Sequence, residues 1–488
     1  MSHERDGAEG VCSAVLGGAF RGAMAVGSLF GVLGVAVGIG GCGGNREARE
    51  ALAFPTPSRL SPVESSAERP ENPFAGEISR ALELLGRVRQ LPPKRPVKGE
   101  VIGRAEMVER VKRSLRDEVP ADAVEAQAEM LFALGAVPAD FDYEGSLLEL
   151  VEDQLAGFYE PDDETMYLGE DLGETARWAT LAHELVHALQ DQYYDLGARV
   201  EYREDGTDEQ SATHALAEGD ATSAMFDVLQ GRPSTEIPES SLAWVFRGSA
   251  ALSSGGDVPD LLKRSLVSPY VDGLRLVQWA RRRGGWDAVG AIWSRPPTST
   301  EQVLHPEKWE ANEPPRRVAV PPGPSDEWEL DYRDVMGEQS LRLVFEEWMP
   351  RFRAEAAASD WGGDHVAIYS KGSKRAMAWR VVFDEEQAAH EAAVAFARGV
   401  LGAGRVGSVA GGFAATWEEG ESALRKGVVC VERAERGPFA VLWSGLGVGV
   451  VGGPYDRQEG RPVLSAGTCS GVKQWLTRVA TAGATETE

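Results

Sequence analysis

Apolar residues recur every three to four positions along two long stretches near the middle of the chain, and this spacing predicts amphipathic helices. The stretches cover residues 174–195 and 208–230, and the second is apolar on most faces, which predicts a buried helix. Between them and the N-terminus, residues 157–168 form two short runs around an acidic turn, "GFYEPDDETMYL", which predicts a β-hairpin. Two further helices are expected at residues 272–283 and from residue 286.

The last third of the chain has a different pattern. A helix is expected over residues 338–358, followed by the strand-like runs "HVAIY" and "MAWRVVF", the helical run "DEEQAAHEAAVAFARGVL", and the strand-like runs "FAATW", "GVVCVER" and "FAVLW". This order predicts an antiparallel sheet with one helix across it. The Pro-rich segment at residues 313–327 predicts a linker. The expected fold class is therefore α+β, with a mainly helical domain over residues 78–312 and a smaller α+β domain over residues 328–488.

The N-terminus is typical of an exported protein. An apolar, Gly-rich run follows Arg21 and ends at Cys42, which predicts a signal peptide over residues 1–41. The sequence "IGGC" resembles the bacterial lipobox, in which the cysteine carries lipid after cleavage, and an uncleaved membrane anchor is the alternative. Residues 42–77 are rich in Pro, Ser, Glu and Arg, which predicts a disordered tether. Both alternatives place the globular part outside the cytosol, at a membrane of the bacterial cell envelope.

Composition narrows the choice of partners. The 488-residue chain has a formal net charge of −26, and such a surface repels phosphate backbones, so nucleic-acid binding is not expected. Of the four cysteines, Cys430 and Cys469 are the two in the expected globular part. Export would allow them to pair in a disulfide, but the sequence alone leaves their pairing open.

Candidate chemistry is concentrated in "TLAHELVHALQDQ", residues 180–192. His183 and His187 are about one helical turn apart, so both imidazoles can reach one metal ion. Glu184 can hold and deprotonate a metal-bound water, as in the H-E-x-x-H signature, and Asp191 is one turn further on, where it is expected to orient a ligand. The alternative is a surface helix with histidines at its rim. The apolar residues form a stripe beside the histidines, which favours the metal site.

A catalytic zinc ion usually has three protein ligands and one open position. We expect the third ligand to be Glu218 in "ATHALAEGDATSAMFDVL", because a carboxylate in a buried helix is costly unless it is paired or bound to metal. His214 and Asp220 are the competing ligands. Asp220 and Thr222 are alternatively expected to support a ligand by hydrogen bonding, or to add polarity to the packed helix.

The quoted motifs resemble known proteins. "HELVH" on one helix and a glutamate inside "AEGDA" on a later helix resemble the gluzincin group of zinc metallopeptidases, to which thermolysin belongs. More closely, "HELVHALQDQ", "AEGDAT" and "STEQVLHPEKW" resemble a set of largely uncharacterised bacterial exported proteins and lipoproteins, over about residues 140–310. The resemblance implies a zincin-like fold and a Zn²⁺ cofactor bound by His183, His187 and Glu218, with Glu184 as general base.

The resemblance has one departure and one further implication. Thermolysin-like enzymes have an aspartate four residues after the ligand glutamate, where this chain has Thr222. These peptidases also usually have an edge strand before the zinc helix, against which an extended substrate pairs. The hairpin at residues 157–168 is placed either for this role or for a purely structural one.

The expected function is that of a membrane-tethered zinc metallopeptidase acting on a peptide or protein substrate. Zinc would polarise the scissile carbonyl, and Glu184 would move a proton from water to the leaving nitrogen. The leading candidate for a donor to the oxyanion is His305 in "TEQVLHPEKW", and Tyr270 in "SPYVDG" is the second. His365 is expected in a turn that enters a strand rather than at the site.

Two other functions are compatible with the sequence. The first is that of an envelope lipoprotein with a gluzincin-like fold that binds a partner without cleaving it, although a binding module has no need of Glu184. The second is a structural zinc site. Such sites usually have four ligands rich in cysteine, and no such set is visible in the sequence.

Overall fold

The structure is a computed structural model, and it describes residues 73–138, 140–238, 258–401, 428–433, 435–458, 461–465 and 467–485. The expected signal peptide, Cys42 and the run "FAATW" lie outside these residues. Within the described ranges, no helix is long and apolar enough to span a membrane.

The first half of the described chain is mainly helical. Its helices are α1 (Pro73–Arg89), α2 (Arg104–Glu118), α3 (Ala121–Leu134), α4 (Tyr143–Gln154), α5 (Glu174–Tyr194), α6 (Leu196–Arg199), α7 (Thr207–Gln230), α8 (Asp260–Ser294), α9 (Thr300–Leu304) and α10 (Pro306–Ala311). The apolar periodicity predicted α5 and α7 to within one residue at each end. The two helices expected near the end of this half are confirmed as the two parts of α8, which meet at non-helical backbone angles at Gly284 and Gly285. The first part begins at Asp260, earlier than the expected residue 272.

A small sheet packs against α5. Its strands are β1 (Lys98–Ile102), β2 (Gly157–Glu160) and β3 (Thr165–Gly169), in the order β1-β3-β2. The antiparallel pair of β2 and β3 confirms the expected hairpin, and β2 is an edge strand. Strand β1, which runs parallel to β3, was not predicted from the sequence. Three of its five residues are exposed, so its apolar signal is weak.

The second half is built on a seven-stranded antiparallel sheet. Its strands are β5 (Glu329–Asp334), β6 (Trp361–Lys371), β7 (Lys374–Phe383), β8 (Val428–Arg433), β9 (Gly437–Ser444), β10 (Gly447–Gln458) and β11 (Arg461–Ser465). The order is β5-β6-β7-β10-β9-β8, and β11 pairs with β10. Two short strands, β4 (Arg317–Val318) and β12 (Ala484–Thr485), pair with each other. The fold class is α+β, as expected.

Helices cover both faces of this sheet. They are α11 (Gly337–Glu346), α12 (Arg351–Ala358), α13 (Glu386–Leu401) and α14 (Cys469–Thr481). Along β7, Trp379 and Val381 join the core that includes α13, whereas Ala376 and Ala378 join a second core that includes α14. The expectation of one helix across the sheet is therefore wrong, because both faces of the strands are apolar. The expected helix at residues 338–358 is two helices, α11 and α12.

The two halves share one continuous hydrophobic core. Buried side chains of α1, α5, α7 and α8 are continuous with those of α11, α13 and the sheet. The segment at residues 313–327, expected as a linker, packs on the sheet, where Tyr369 Oη donates a hydrogen bond of 2.5 Å to the carbonyl of Pro321. Arg342 on α11 forms a buried ion pair of 2.7 Å with Asp272 on α8. These contacts join the halves rather than separating them.

Cys430 and Cys469 form a disulfide. The bond ties β8 to the first residue of α14 and so fixes this helix on its face of the sheet. The pairing that the sequence left open is therefore present, in a form that persists outside the cytosol.

Candidate metal centre

Helices α5 and α7 bring three side chains to one point. His183 Nε2 lies 2.9 Å from Glu218 Oε2, and His187 Nε2 lies 3.6 Å from the same oxygen. The two Nε2 atoms are 3.1 Å apart. All three side chains are at most 2% exposed, because α1, α7 and the small sheet pack around α5. Together they form a buried group that could hold a metal ion.

The spacing of the three atoms suits a small divalent ion. Ligand atoms about 2.0–2.1 Å from a tetrahedral zinc ion lie roughly 3.3–3.4 Å from one another. The observed separations of 2.9, 3.1 and 3.6 Å bracket this value. Two imidazole nitrogens at 3.1 Å repel each other unless a proton or a metal ion lies between their lone pairs. Imidazole and carboxylate are also donors that zinc accepts.

The charges of the group favour a cation at its centre. Burial acts to raise the pKa of Glu218, but His187 and the hydrogen bonds with the imidazoles hold it well below its usual range. Burial lowers the pKa of His183. Burial acts in the same direction on His187, but Glu218 raises the pKa of this imidazole to about 9. A proton on His187 therefore takes the place of a metal ion, and metal binding would release it.

Glu184 reaches the same region from α5. Its Oε2 accepts a hydrogen bond of 3.1 Å from the backbone N–H of Tyr159 on β2. Its Oε1 is buried and has no hydrogen-bond partner among the described residues. Burial raises the pKa of Glu184 to about 8, although His187 acts in the opposite direction. A carboxyl group with one fixed and one unpaired oxygen is placed to exchange a proton with a molecule bound at the group.

Gln190 orients His187, a role that was expected of Asp191. Gln190 Nε2 donates a hydrogen bond of 3.0 Å to the carbonyl of Ala217 on α7, so its Oε1 faces His187 Nδ1 at 2.8 Å. His187 thus keeps its proton on Nδ1 and presents Nε2 to the group. Asp191 instead accepts hydrogen bonds of 3.1 Å from Tyr159 Oη and from Arg95 Nη2. The signal in the sequence was a glutamine on the same helix face as both histidines.

His214 supports Glu218 instead of competing with it as a ligand. Its Nε2 lies 3.1 Å from Oε1 of Glu218, the oxygen that His183 does not contact. His214 is one turn before Glu218 on α7, so the two side chains share a face of the helix. This contact leaves Oε2 of Glu218 directed at the two histidines of α5.

Asp220 points away from the metal group. It accepts hydrogen bonds from Arg89 Nε at 2.5 Å and Arg89 Nη2 at 2.9 Å, and from Trp293 Nε1 at 2.8 Å. The expected support of a ligand by Asp220 is corrected by these contacts, which join α7 to α1 and α8. Thr222 is buried as well, and its hydroxyl has no hydrogen-bond partner among the described residues.

Two glycines set the distance between α7 and α8. A Cβ atom on Gly219 would lie 2.1 Å from the carbonyl carbon of Gly273, and one on Gly273 would lie 1.7 Å from a carbonyl oxygen of α7. The two backbones are therefore in direct contact. Glu218 is next to this contact on α7, and Tyr270 is about one turn before it on α8. The ring of Tyr270 consequently lies beside that of His183, with centroids 5.8 Å apart.

His305, the leading candidate for the oxyanion donor, is engaged elsewhere. Its Nε2 lies 2.9 Å from Oε1 of Glu338 on α11, and its Nδ1 lies 3.8 Å from Oε1 of Glu307. Both ring nitrogens thus face carboxylates that do not belong to the metal group. The expected role of His305 is corrected by this placement, and Tyr270, the second candidate, is the one beside His183.

The rest of the "STEQVLHPEKW" motif also stabilises the fold. Thr300 donates hydrogen bonds to Asp208 at the start of α7 through its N–H, at 2.8 Å, and its Oγ1, at 2.5 Å. Lys308 lies 2.6 Å from both Glu301 and Asp384. The motif therefore connects α7 to the seven-stranded sheet.

His365 lies in β6, close to its expected place at the start of a strand. Its Nδ1 is 3.0 Å from the carbonyl of Val318, and its Nε2 is 3.0 Å from Oδ1 of Asp205. The residue connects β6 to β4 and to the loop before α7, so its role is structural.

Comparisons with known proteins add little to this geometry. Residues 329–456 match the model of a domain of unknown function, DUF8575. A crystal structure described as that of "a putative hydrolase with a novel fold", from Chloroflexus aurantiacus, is 19% identical, with a TM-score of 0.31, and the match covers 50% of this chain and 92% of that one. A TM-score of this size does not establish a shared fold. No curated protein matches the chain.

Proposed function

We propose that the chain is a zinc-dependent hydrolase of the gluzincin type that cleaves peptide bonds. The observation that carries this proposal is the convergence of His183, His187 and Glu218, with Glu184 beside them. Three ligands leave a fourth position for water at tetrahedral zinc, as catalytic sites require. A structural zinc site would need a further ligand, and no other His, Cys, Asp or Glu joins the group within the described ranges.

The side chains around the group have complementary roles. Zinc, when bound, would polarise the scissile carbonyl and lower the pKa of a water molecule. Oε1 of Glu184 would accept a proton from a water molecule as the water oxygen bonds to the carbonyl carbon. It would then pass the proton to the amide nitrogen, which leaves as an amine when the C–N bond breaks. Tyr270 donates a hydrogen bond to the carbonyl oxygen as its negative charge develops. Gln190 and His214 hold His187 and Glu218 in the orientation that binding needs.

Strand β2 is suited to bind an extended substrate. It is at the edge of its sheet, and the N–H of Tyr159 points to Glu184 rather than to β3. A peptide added to this edge would lie across the first turns of α5, next to Glu184. Main-chain pairing of this kind supplies affinity without demanding a particular side chain.

Substrate access requires a movement, because the ligands are buried. A depression of about 780 Å³ lined by Asp191, Tyr194 and Arg95 begins one turn beyond His187 on α5, about 6 Å along the helix. Tyr159 Oη and Arg95 both bind Asp191 here. The Arg95 side chain is 39% exposed, and an ion pair with such a partner contributes only about 0–1 kcal/mol, so this contact yields readily to an incoming peptide.

Metal content and peptide hydrolysis, measured on the same preparations, test the proposal. We expect the purified full-length chain to hold about one zinc ion and to cleave members of a mixed peptide pool, as detected by mass spectrometry. Removal of zinc with a chelator should abolish cleavage, and added zinc should restore it. Glu218→Gln should lose the metal, whereas Glu184→Gln should keep the metal and lose cleavage.

The alternative outcomes are distinct. Zinc without hydrolysis in the unsubstituted chain would contradict the enzyme and support a non-catalytic binding module. A chain that binds no zinc would contradict the metal site as well.

We also propose that the chain is exported and attached to the cell envelope through lipid on Cys42, on the strength of "IGGC" after an apolar run. Cys42→Ser should then move the protein from the membrane fraction to the soluble fraction of cells. Retention of this variant in the membrane would contradict lipid attachment and indicate an uncleaved apolar anchor.

A further inference from the structure

An arginine in the seven-stranded sheet is buried and forms no ion pair with any residue that the structure describes. Arg380 lies in β7, opposite His365 on β6 and Gly449 on β10, and is only 7% exposed. Its Nε and Nη1 atoms have no hydrogen-bond partner among the described residues. A buried charge without a partner is costly, so native proteins normally pair such groups.

Within the part of the chain that the structure describes, no carboxylate pairs with this guanidinium group. His365, which lies opposite Arg380 on β6, contacts a carboxylate: its Nε2 is 3.0 Å from Oδ1 of Asp205. Burial lowers the pKa of Arg380 to about 10, and no acidic group acts to raise it. By contrast, the similarly enclosed Arg89 and Arg342 each bind an aspartate, at 2.5 and 2.7 Å.

A glycine on the neighbouring strand accommodates the guanidinium group. A Cβ atom on Gly447 would lie 2.0 Å from Nη1 and 2.1 Å from Nη2 of Arg380, so the guanidinium occupies the volume that a side chain would need. Gly449 contacts Ala480 in the last turn of α14. The C-terminal end of a helix carries about half a negative charge, which favours a cation nearby. It does not, however, supply acceptors to Nε and Nη1.

We propose that Arg380 binds a small oxyanion, a carboxylate or a phosphate, between the sheet and α14. A planar guanidinium binds these groups through two parallel N–H donors. Each of its two binding edges includes one of the nitrogens without a partner. The ligand is expected to be small, because Arg380 is only 7% exposed. The site belongs to the sheet half and is separate from the metal group.

Thermal unfolding of the full chain tests this site. Inorganic phosphate or acetate should raise Tm by about 2–4 °C at saturation, beyond the effect of chloride at equal ionic strength. The anion with the lower half-saturating concentration identifies the ligand class. Arg380→Met should abolish the shift. Arg375→Met is the matched control, because Arg375 is on the same strand, is partly exposed and is near Asp331, so the shift should persist.

A second variant keeps the arginine. Gly447→Ala places a methyl group where the guanidinium lies, so it should weaken the anion-dependent shift even if Arg380→Met fails to fold. An equal shift in Arg380→Met and the unsubstituted chain would overturn the proposal. The absence of any shift in Tm with either anion in the unsubstituted chain would also overturn the proposal. If Arg380→Met then had a higher Tm than the unsubstituted chain, Arg380 would be a destabilising buried charge that binds no anion.

Discussion

Two clusters of histidine and carboxylate side chains include residues from the sequence motifs. Their contacts differ. The first, here called the motif cluster, consists of Glu301, His305, Lys308, Glu338 and Asp384. Each of its carboxylates is paired with a lysine or a histidine: Lys308 binds two of them, and His305 binds the third. Every carboxylate of the cluster thus has a cationic or imidazole partner, and of its buried oxygens only Oε2 of Glu338 lacks a hydrogen-bond partner among the described residues. The cluster joins α9 and α10 to the sheet half.

The metal group is arranged differently, because two imidazoles approach the same carboxylate oxygen. Two imidazole nitrogens face each other at 3.1 Å around one oxygen of Glu218, and Oε1 of Glu184 has no hydrogen-bond partner among the described residues. Buried polar groups that lack partners are costly, so proteins retain them where a ligand or a reaction uses them. The two clusters have similar residue types, so the proposed difference in role rests on their contacts.

The largest effect is expected for Glu184→Gln, set against Glu338→Gln. Loss of a general base should lower kcat/KM by about 10²–10⁴-fold, with metal content unchanged. Glu338→Gln removes a carboxylate from the motif cluster, so it should lower Tm and leave kcat/KM within a few-fold. Peptide cleavage and zinc content measured on both variants check this prediction. Similar losses of kcat/KM in the two would break the distinction between the clusters.

Lys308→Met should destabilise the fold without affecting the metal. The change leaves Glu301, which is 2% exposed, without its cation, and removing one partner of a buried pair costs about 3–5 kcal/mol. Asp384 keeps a second cation, Arg316, at 2.8 Å. Urea unfolding measures the loss. The control is Lys112→Met, which removes an exposed pair with Glu109 worth about 0–1 kcal/mol. An equal decrease in the free energy of unfolding in both variants would show that the motif cluster stabilises the fold no more than an exposed ion pair does.

Gln190→Met should weaken metal binding by about 10–100-fold, because His187 loses the acceptor that fixes its orientation. Competition with a chelator of known affinity measures the change on folded protein. Asp191→Asn is the control, with an expected effect below about threefold, because Asp191 binds Tyr159 and Arg95 instead. A larger effect for Asp191→Asn would restore the original assignment.

A smaller, pH-dependent effect is expected at Asp208. Burial raises the pKa of Asp208 from 3.8 to about 8, so the folded state keeps a proton that the unfolded chain releases. This bound proton stabilises the folded state fully below pH 4, and the stabilisation is lost as pH rises towards 8. The free energy of unfolding then falls by at most about 1.4 kcal/mol per pH unit. Asp208→Asn cannot ionise and should flatten this part of the profile. Urea unfolding of both proteins between pH 5 and 8 checks the slope, and parallel profiles would exclude Asp208 as its source.

Features that depend on local sequence were predictable. The apolar periodicity located α5 and α7, and the spacing of His183 and His187 placed both on one face of α5. Glu218 followed from the cost of a bare carboxylate in an apolar helix, and the structure places it 2.9 Å from His183. Each of these inferences needs only one helix and the free energy of burial.

Features that depend on neighbouring elements were not predictable. Asp191 and Gln190 both extend the histidine face of α5, and only the packing of Ala217 of α7 decides that Gln190 contacts His187. Asp220 is two residues from Glu218, which places it about 200° around the helix, where Arg89 of α1 lies. The position of His305 depends on Glu338, which is 33 residues further along the chain.

The hydrogen bond between Tyr455 and Glu129 can form only late in synthesis of the chain. Tyr455 Oη donates to Glu129 Oε2 at 2.5 Å across a separation of 326 residues. At about 5–20 residues per second, synthesis reaches Tyr455 roughly 15–65 s after Glu129. Throughout that interval α3 lacks β10, which carries the Tyr455 ring that lies 5.0 Å from that of Phe132. The proposed metal ligands are thus all synthesised well before the core that encloses them can close.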